Sequence, residues 1–140
     1  MEDYNSAFFN SISTAFLIYR EKNGEEEALK FLRELFSTRL KEVYDSLGFQ
    51  GGTQDFVRVV GENDSKLGLR VEFKVSGSTV IYRFLFDPFP NLKGKVDWRR
   101  FDPTYMDFKV GYLLGEGWSY KTTKHLWDGD QFTEHVISRK

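Results

Sequence analysis

Two histidines, His125 and His135, are the only imidazoles in the chain, and there is no cysteine. Without a thiol, disulfides, thiolate zinc sites and cysteine nucleophiles are all excluded. Both histidines fall in a C-terminal segment that alternates like a β-hairpin, where they share one face on a diagonal of about 7 Å. That separation suits one metal ion, but no third ligand is spaced to join them. The expectation is two solvent-facing histidines and no metal. Ser119, His125 and Asp128 are the residue types of a nucleophilic triad, yet no strand-to-helix elbow presents the serine. Asp128 and Asp130 pair two carboxylates at a turn tip, where aspartate serves turn geometry rather than acid–base work. No catalytic residue and no cofactor is assigned.

Aromatic residues are the second chemical resource. Fourteen Phe, seven Tyr and three Trp make 17% of the sequence, and they crowd the C-terminal half. Rings of this kind bury large areas with few rotatable bonds, so they build cores and also grip flat apolar ligands. Tyr82, Phe84, Phe86 and Phe89 come from one strand and its exit loop, Trp98 from the following segment, Tyr112 from a helix, and Trp118 and Tyr120 from the last hairpin. Laid between a helix and a sheet, these side chains would line an apolar pocket. Arg99, with Arg83 and Arg100, would supply charge for an acidic head group. An apolar lining with few polar anchors is the usual make-up of a small-molecule site. The competing reading is that the same rings simply form the core.

Residues 4 to about 20 place Phe8, Phe9, Ile12, Ala15, Phe16 and Tyr19 on one helical face, and Asn23-Gly24 ends it. Glu25-Glu26-Glu27 opens a second helix with acids where the dipole favours them. Its apolar stripe runs from Ala28 to Leu47, and Gly48 follows as the stop. From Thr53 the period reads as two. Phe56, Val57, Val59 and Val60 are expected as a strand ending in the polar turn Gly61-Glu62-Asn63-Asp64-Ser65. Leu67 to Val75 alternates as a strand with one wet face. After Ser76-Gly77-Ser78, Val80 to Phe86 is apolar on both faces and is expected to be central. Asp87-Pro88-Phe89-Pro90 stops it, and residues 91–101 read as irregular. Asp102-Pro103 reads as an N-cap and first-turn proline for a helix over about 103–114.

The closing hairpin turns at Asp128-Gly129-Asp130. Its expected register sets Leu126 opposite Phe132, Lys124 opposite Glu134 and Thr122 opposite Val136. Trp118, Tyr120, Leu126, Phe132 and Val136 then face inward.

These elements predict one α+β domain: a helical hairpin over residues 1–48, then an antiparallel β-meander, one further helix and a C-terminal β-hairpin over 54–140. A net charge of −1 lacks the basic concentration that a nucleic-acid binder needs. The start Met1-Glu2-Asp3-Tyr4 is acidic where a secretory leader is basic. Ala15 to Tyr19, the longest early apolar run, is too short to span a membrane. The expected location is the cytoplasm, and the apolar faces of the helical hairpin predict a homo-oligomer.

The helix ending Gly111-Tyr112-Leu113-Leu114-Gly115, the two strands after it and the Gly129-Asp130 turn resemble the 4-vinyl reductase-type ligand-binding domain. They also resemble the L-2-amino-thiazoline-4-carboxylic acid hydrolase family. The resemblance implies helices before a sheet and a ligand cavity. In those families the closing hairpin carries two cysteines around a glycine-centred turn; His125 and Thr133 stand at the matching positions here, four residues either side of Gly129. The hydrolases also carry a Cys-Pro step where this chain has Asp87-Pro88. Cysteine-dependent chemistry therefore does not carry over. The leading expectation is a small-molecule-binding or sensory domain for an apolar or aromatic ligand. The alternatives are a small hydrolase-like enzyme using Asp87, His125 or a tyrosine, and an interaction protein that dimerises through its N-terminal helices.

Overall fold

A computed structural model describes residues 5–140; Met1–Tyr4, and with them the acidic start and the first residue of the expected first helix, lie outside the described residues. Helix α1 spans Ser6–Asn23, and the Asn5 side chain caps it by accepting from the Phe8 N–H. Gly24, at φ 90°, breaks the chain before α2, Glu25–Leu47. The two helices pack as the hairpin that their apolar stripes demand. No helix among the described residues is long and apolar enough to cross a membrane.

The largest departure follows. Residues 56–60 are not a strand: Thr53–Lys66 forms a third helix, α3. Gly51 and Gly52, both at positive φ, reverse the chain, and the Asp55 carboxylate accepts from the Gln50 and Gly51 N–H groups. Phe56, Val59, Val60, Asn63 and Asp64 are the buried face, spaced three and four apart as a helix requires. Its last two members are polar, so the stripe stops at Val60 when only apolar residues are counted.

Four strands follow: β1 Val71–Ser76, β2 Thr79–Phe84, β3 Trp118–Lys124 and β4 Thr133–Arg139. They form one antiparallel sheet in the order β1-β2-β4-β3, so β2 is central, as its two-sided apolarity predicts. Between β2 and β3 lie a one-turn helix α4, Trp98–Phe101, in the stretch expected to be irregular, and α5, Pro103–Leu114. The α+β class with helices first and an antiparallel sheet is thus what the structure shows.

The last hairpin keeps the Lys124–Glu134 pair, but the register shifts between Thr122 and Lys124, so that Thr122 faces His135 and Lys121 faces Val136. One extra residue in β3 reverses the alternation beyond it. Val136 therefore leaves the inner face and His135 enters it, fully buried. Phe132 is also outside the core, under the cations of Arg83 and Lys124.

Two apolar clusters result. One joins α3 and α5 to the sheet around Phe56, Tyr82, Met106 and Ile137; the other joins α1 and α2 to the loop after β2 around Phe16, Leu32, Phe89 and Phe101. The helical state of α3 has a direct test. Glu62 is exposed, and a proline there would be harmless in a polar turn but costs about 3 kcal/mol inside a helix. Urea denaturation of Glu62→Pro is expected to show a loss of that size; an unchanged midpoint would contradict the assignment.

Candidate functional site

A cleft of about 160 Å³ opens where the two clusters meet. Helix α1 contributes Phe8 and Phe9, and α2 contributes Phe36, Arg39, Leu40 and Val43. Phe84, Pro88 and Phe89 close it from β2 and its exit loop, Leu67 and Leu69 from the chain after α3. Its polar atoms come from Asn63 and Asp64 of α3 and from Tyr105 and Lys109 of α5, with Arg39, exposed and paired with Glu42, at the rim. The walls are an edge-to-face array: Phe9 to Phe89 at 5.2 Å between centroids, Phe36 to Tyr105 at 5.9 Å and Phe84 to Tyr105 at 6.4 Å. Such contacts fix ring orientations as well as adding stability, by roughly 0.5–1.5 kcal/mol per pair. The cleft is preformed rather than collapsed.

Its floor is ionic. Lys109 Nζ lies 3.6 Å from Asp64 Oδ1, and both side chains are almost wholly buried. The Lys109 ammonium donates to Tyr82 Oη at 2.9 Å, and the Tyr82 hydroxyl donates in turn to Asp64 Oδ2. Ring faces of Tyr82, Phe84 and Tyr105 surround the nitrogen at 5.1–5.6 Å. Burial pushes the Asp64 carboxyl above the usual carboxylate range despite the adjacent cation, and the same burial pulls the Lys109 amine down. Each shift favours the neutral form and narrows the gap between the two groups. Removing one partner of such a pair strands the other, which typically costs about 3–5 kcal/mol.

A second polar cluster sits behind the Phe89 wall. His125 and Asp102 are both buried, with Nε2 and Oδ2 at 2.9 Å. The Trp127 N–H donates to His125 Nδ1, so Nε2 is the nitrogen that donates to Asp102. Trp98 stacks on the imidazole at 4.7 Å, and Trp127 Nε1 donates to Asp87. Burial raises the carboxyls of Asp87 and Asp102. The histidine expected in solvent is therefore enclosed, with both ring nitrogens occupied, and Asp102 serves it rather than capping α5. Thr133, across the hairpin from His125, accepts from the Leu126 N–H. This constellation locks a hairpin in place and has no free base to offer. Among the described residues no three His, Asp or Glu side chains converge as a metal site.

The sequence-derived aromatic set divides. Phe84 and Phe89 line the cleft, and Tyr82 lies in its floor network. Trp98 is on His125; Arg99 is exposed, paired with Asp97 and placed over Trp98. Tyr112 stacks on Phe108 and donates to Asp45. Trp118 and Tyr120 border a shallow depression at the far end of α5, and half-buried Phe86 does not reach the cleft. Arg83 and Arg100 spend their charge on Glu72 and Glu134, and on Glu25 and Glu26. The cleft instead draws on Phe8, Phe9, Phe36, Leu40, Asp64 and Lys109. The one signal for them in the sequence is Lys109, a lysine set among the apolar Met106, Phe108 and Val110 of α5.

Comparison with protein-family models and with curated proteins finds no match to this chain.

His135 gives the site's surroundings a pH signature. Its Nδ1 meets Thr122 Oγ1 at 2.8 Å, while its buried Nε2 has no hydrogen-bond partner among the described residues. Burial first, then the nearby Lys109 charge, pushes its pKa down from 6.5 to about 3. Across that window the unfolded chain binds a proton that the folded chain refuses, so stability falls as pH drops, by up to about 1.4 kcal/mol per pH unit. The raised carboxyls of Asp64, Asp87 and Asp102 act with the opposite sign and are unchanged in a His135→Gln variant. Urea melts at pH 7, 6 and 5 are expected to show the wild type losing stability faster than the variant; parallel losses would contradict the buried, uncharged imidazole.

Proposed function

We propose that this chain is a non-enzymatic small-molecule-binding or sensory domain whose ligand sits in the cleft between α1, α2, α3 and α5. The observation that carries this reading is the cleft itself, an aromatic-walled void with one compact polar floor in a chain of this size. Its volume of about 160 Å³ is close to that of an apolar cavity known to admit benzene, so the ligand is the size of a single ring or a short chain. The resemblance of the C-terminal half to a ligand-binding domain family supports the same reading. Charge selects further. At the floor the buried Asp64 and Lys109 already cancel, and Arg39 at the exposed rim is paired with Glu42, so an added anion at the floor would leave a net charge in an apolar site. The ligand is uncharged, with an apolar body and one polar group against the floor.

Benzyl alcohol at about 100 times its Kd is expected to raise Tm by on the order of 5–10 °C, with benzoate much less effective. Leu40→Trp, which fills the cleft, should abolish the shift. No shift with any uncharged single-ring compound would sink the reading.

Self-association is a second reading, compatible with the first and placed, like it, in the cytoplasm. Phe8, Ile18 and Phe31 are large exposed hydrophobics of the helical hairpin, and exposed apolar surface of this kind suits a partner helix. Sedimentation equilibrium is expected to give twice the monomer mass, reduced to the monomer by Ile18→Glu. A wild type that stays monomeric at high micromolar concentration would exclude it.

A further inference from the structure

Lys109 is more than an anchor for a polar head group. A lysine amine buried in an apolar pocket beside a proton acceptor is the arrangement in which nitrogen becomes a nucleophile, because its ammonium loses the hydration that normally stabilises it. Here the amine sits at the floor of a cleft that admits a small apolar molecule, 3.6 Å from a buried carboxyl and 2.9 Å from a phenol that itself bonds that carboxyl. We infer that Lys109 captures a small apolar aldehyde or ketone as a covalent imine, with Asp64 carrying the protons. This deepens the ligand-binding reading and rests on the same cleft.

The groups around the nitrogen permit the full sequence. Besides Asp64 from α3 they are Tyr82 from β2, Tyr105 from the same helix and His135 from β4, whose charged form is suppressed. The Lys109 ammonium first yields a proton to the Asp64 carboxylate, directly or through the Tyr82 hydroxyl. The Nζ lone pair then attacks the carbonyl carbon, and the carbonyl π pair moves to oxygen, which takes that proton from Asp64. The nitrogen of the resulting adduct returns one proton to Asp64. The C–O bond breaks as the hydroxyl accepts this proton and leaves as water, and the nitrogen lone pair forms C=N. The products are one iminium on Lys109, the Asp64 carboxylate and one water, so charge and atoms balance with the starting ion pair and carbonyl. The iminium keeps the positive charge that Asp64 faces, and the ring faces of Tyr82, Phe84 and Tyr105 stay around it. Water has little access to reverse the bond while the ligand fills the cleft.

Benzaldehyde with cyanoborohydride tests this on the intact chain, because reduction fixes any imine as a stable secondary amine. Mass spectrometry of the digested protein is expected to find Lys109 alkylated at least tenfold faster than any exposed lysine, and to about one group per chain. Excess benzyl alcohol should protect it. Asp64→Asn should slow the reaction at Lys109 by tenfold or more without changing the exposed lysines, which separates proton transfer from mere access. Alkylation spread over exposed lysines with Lys109 untouched overturns the inference. If benzyl alcohol still raises Tm in that case, imine capture alone fails and the binding cleft stands. If it raises nothing, both readings fall.

Discussion

A carboxylate and an ammonium that have given up their water hold the two halves of this molecule in register. Asp64 lies near the end of α3 and Lys109 near the middle of α5, and Tyr82 ties both to the central strand of the sheet. Neither charge tolerates isolation in such surroundings. The position of α3 against α5 and β2 is therefore dictated by electrostatics as well as by apolar packing. Phe56, Val59 and Val60 on α3, with Met106 and Val110 on α5, then fill the space that the pair leaves.

From that joint the rest of the architecture can be followed outward. The first cluster closes around the pair and the sheet. The second forms where α1 and α2 meet the Phe89 loop, and Tyr105 touches both. Burial first, and then the charge of Asp102, the partner of His125, keep the Tyr105 hydroxyl proton tightly held. The cleft wall and the closing hairpin thus share a residue. A void survives at the seam because its walls are rigid rings held edge to face, which cannot slump inward as aliphatic side chains do.

Legibility in the sequence holds where burial and apolarity coincide. Helices α1, α2 and α5, the β1–β2 turn, central β2 and the Lys124–Glu134 pair all follow period or turn chemistry. It fails at α3, for a physical reason. Asn63 and Asp64 continue the helical face of Phe56, Val59 and Val60, but polar residues before a serine read as a turn when burial is judged by hydrophobicity. The same substitution of polar for apolar that hides the helix creates the floor of the cleft, so one misreading concealed both. The histidines are hidden in the sequence for another reason. A one-residue bulge in β3 leaves no mark in composition, yet it turned His135 inward. For His125, the stacking Trp98 comes from a helix of four residues, too short to show a period. Of the aromatic set picked out from the sequence, Phe84 and Phe89 line the cleft, while its other wall comes from the N-terminal helices.

That bulge has a further effect at the border of the sheet. Strands β1 and β3 are the two edges, and an open edge is a template on which another extended chain can add. A protein with this many aromatic side chains is at particular hazard, since partly unfolded copies would find such a template readily. The irregularity between Thr122 and Lys124 interrupts the row of donors and acceptors on β3, and Lys121 and Lys124 are exposed along it. On β1, exposed Glu72 and Lys74 set charges beside the opposite border. The same irregular residue that carries His135 into the core thus also breaks the β3 margin on which a fibril could grow.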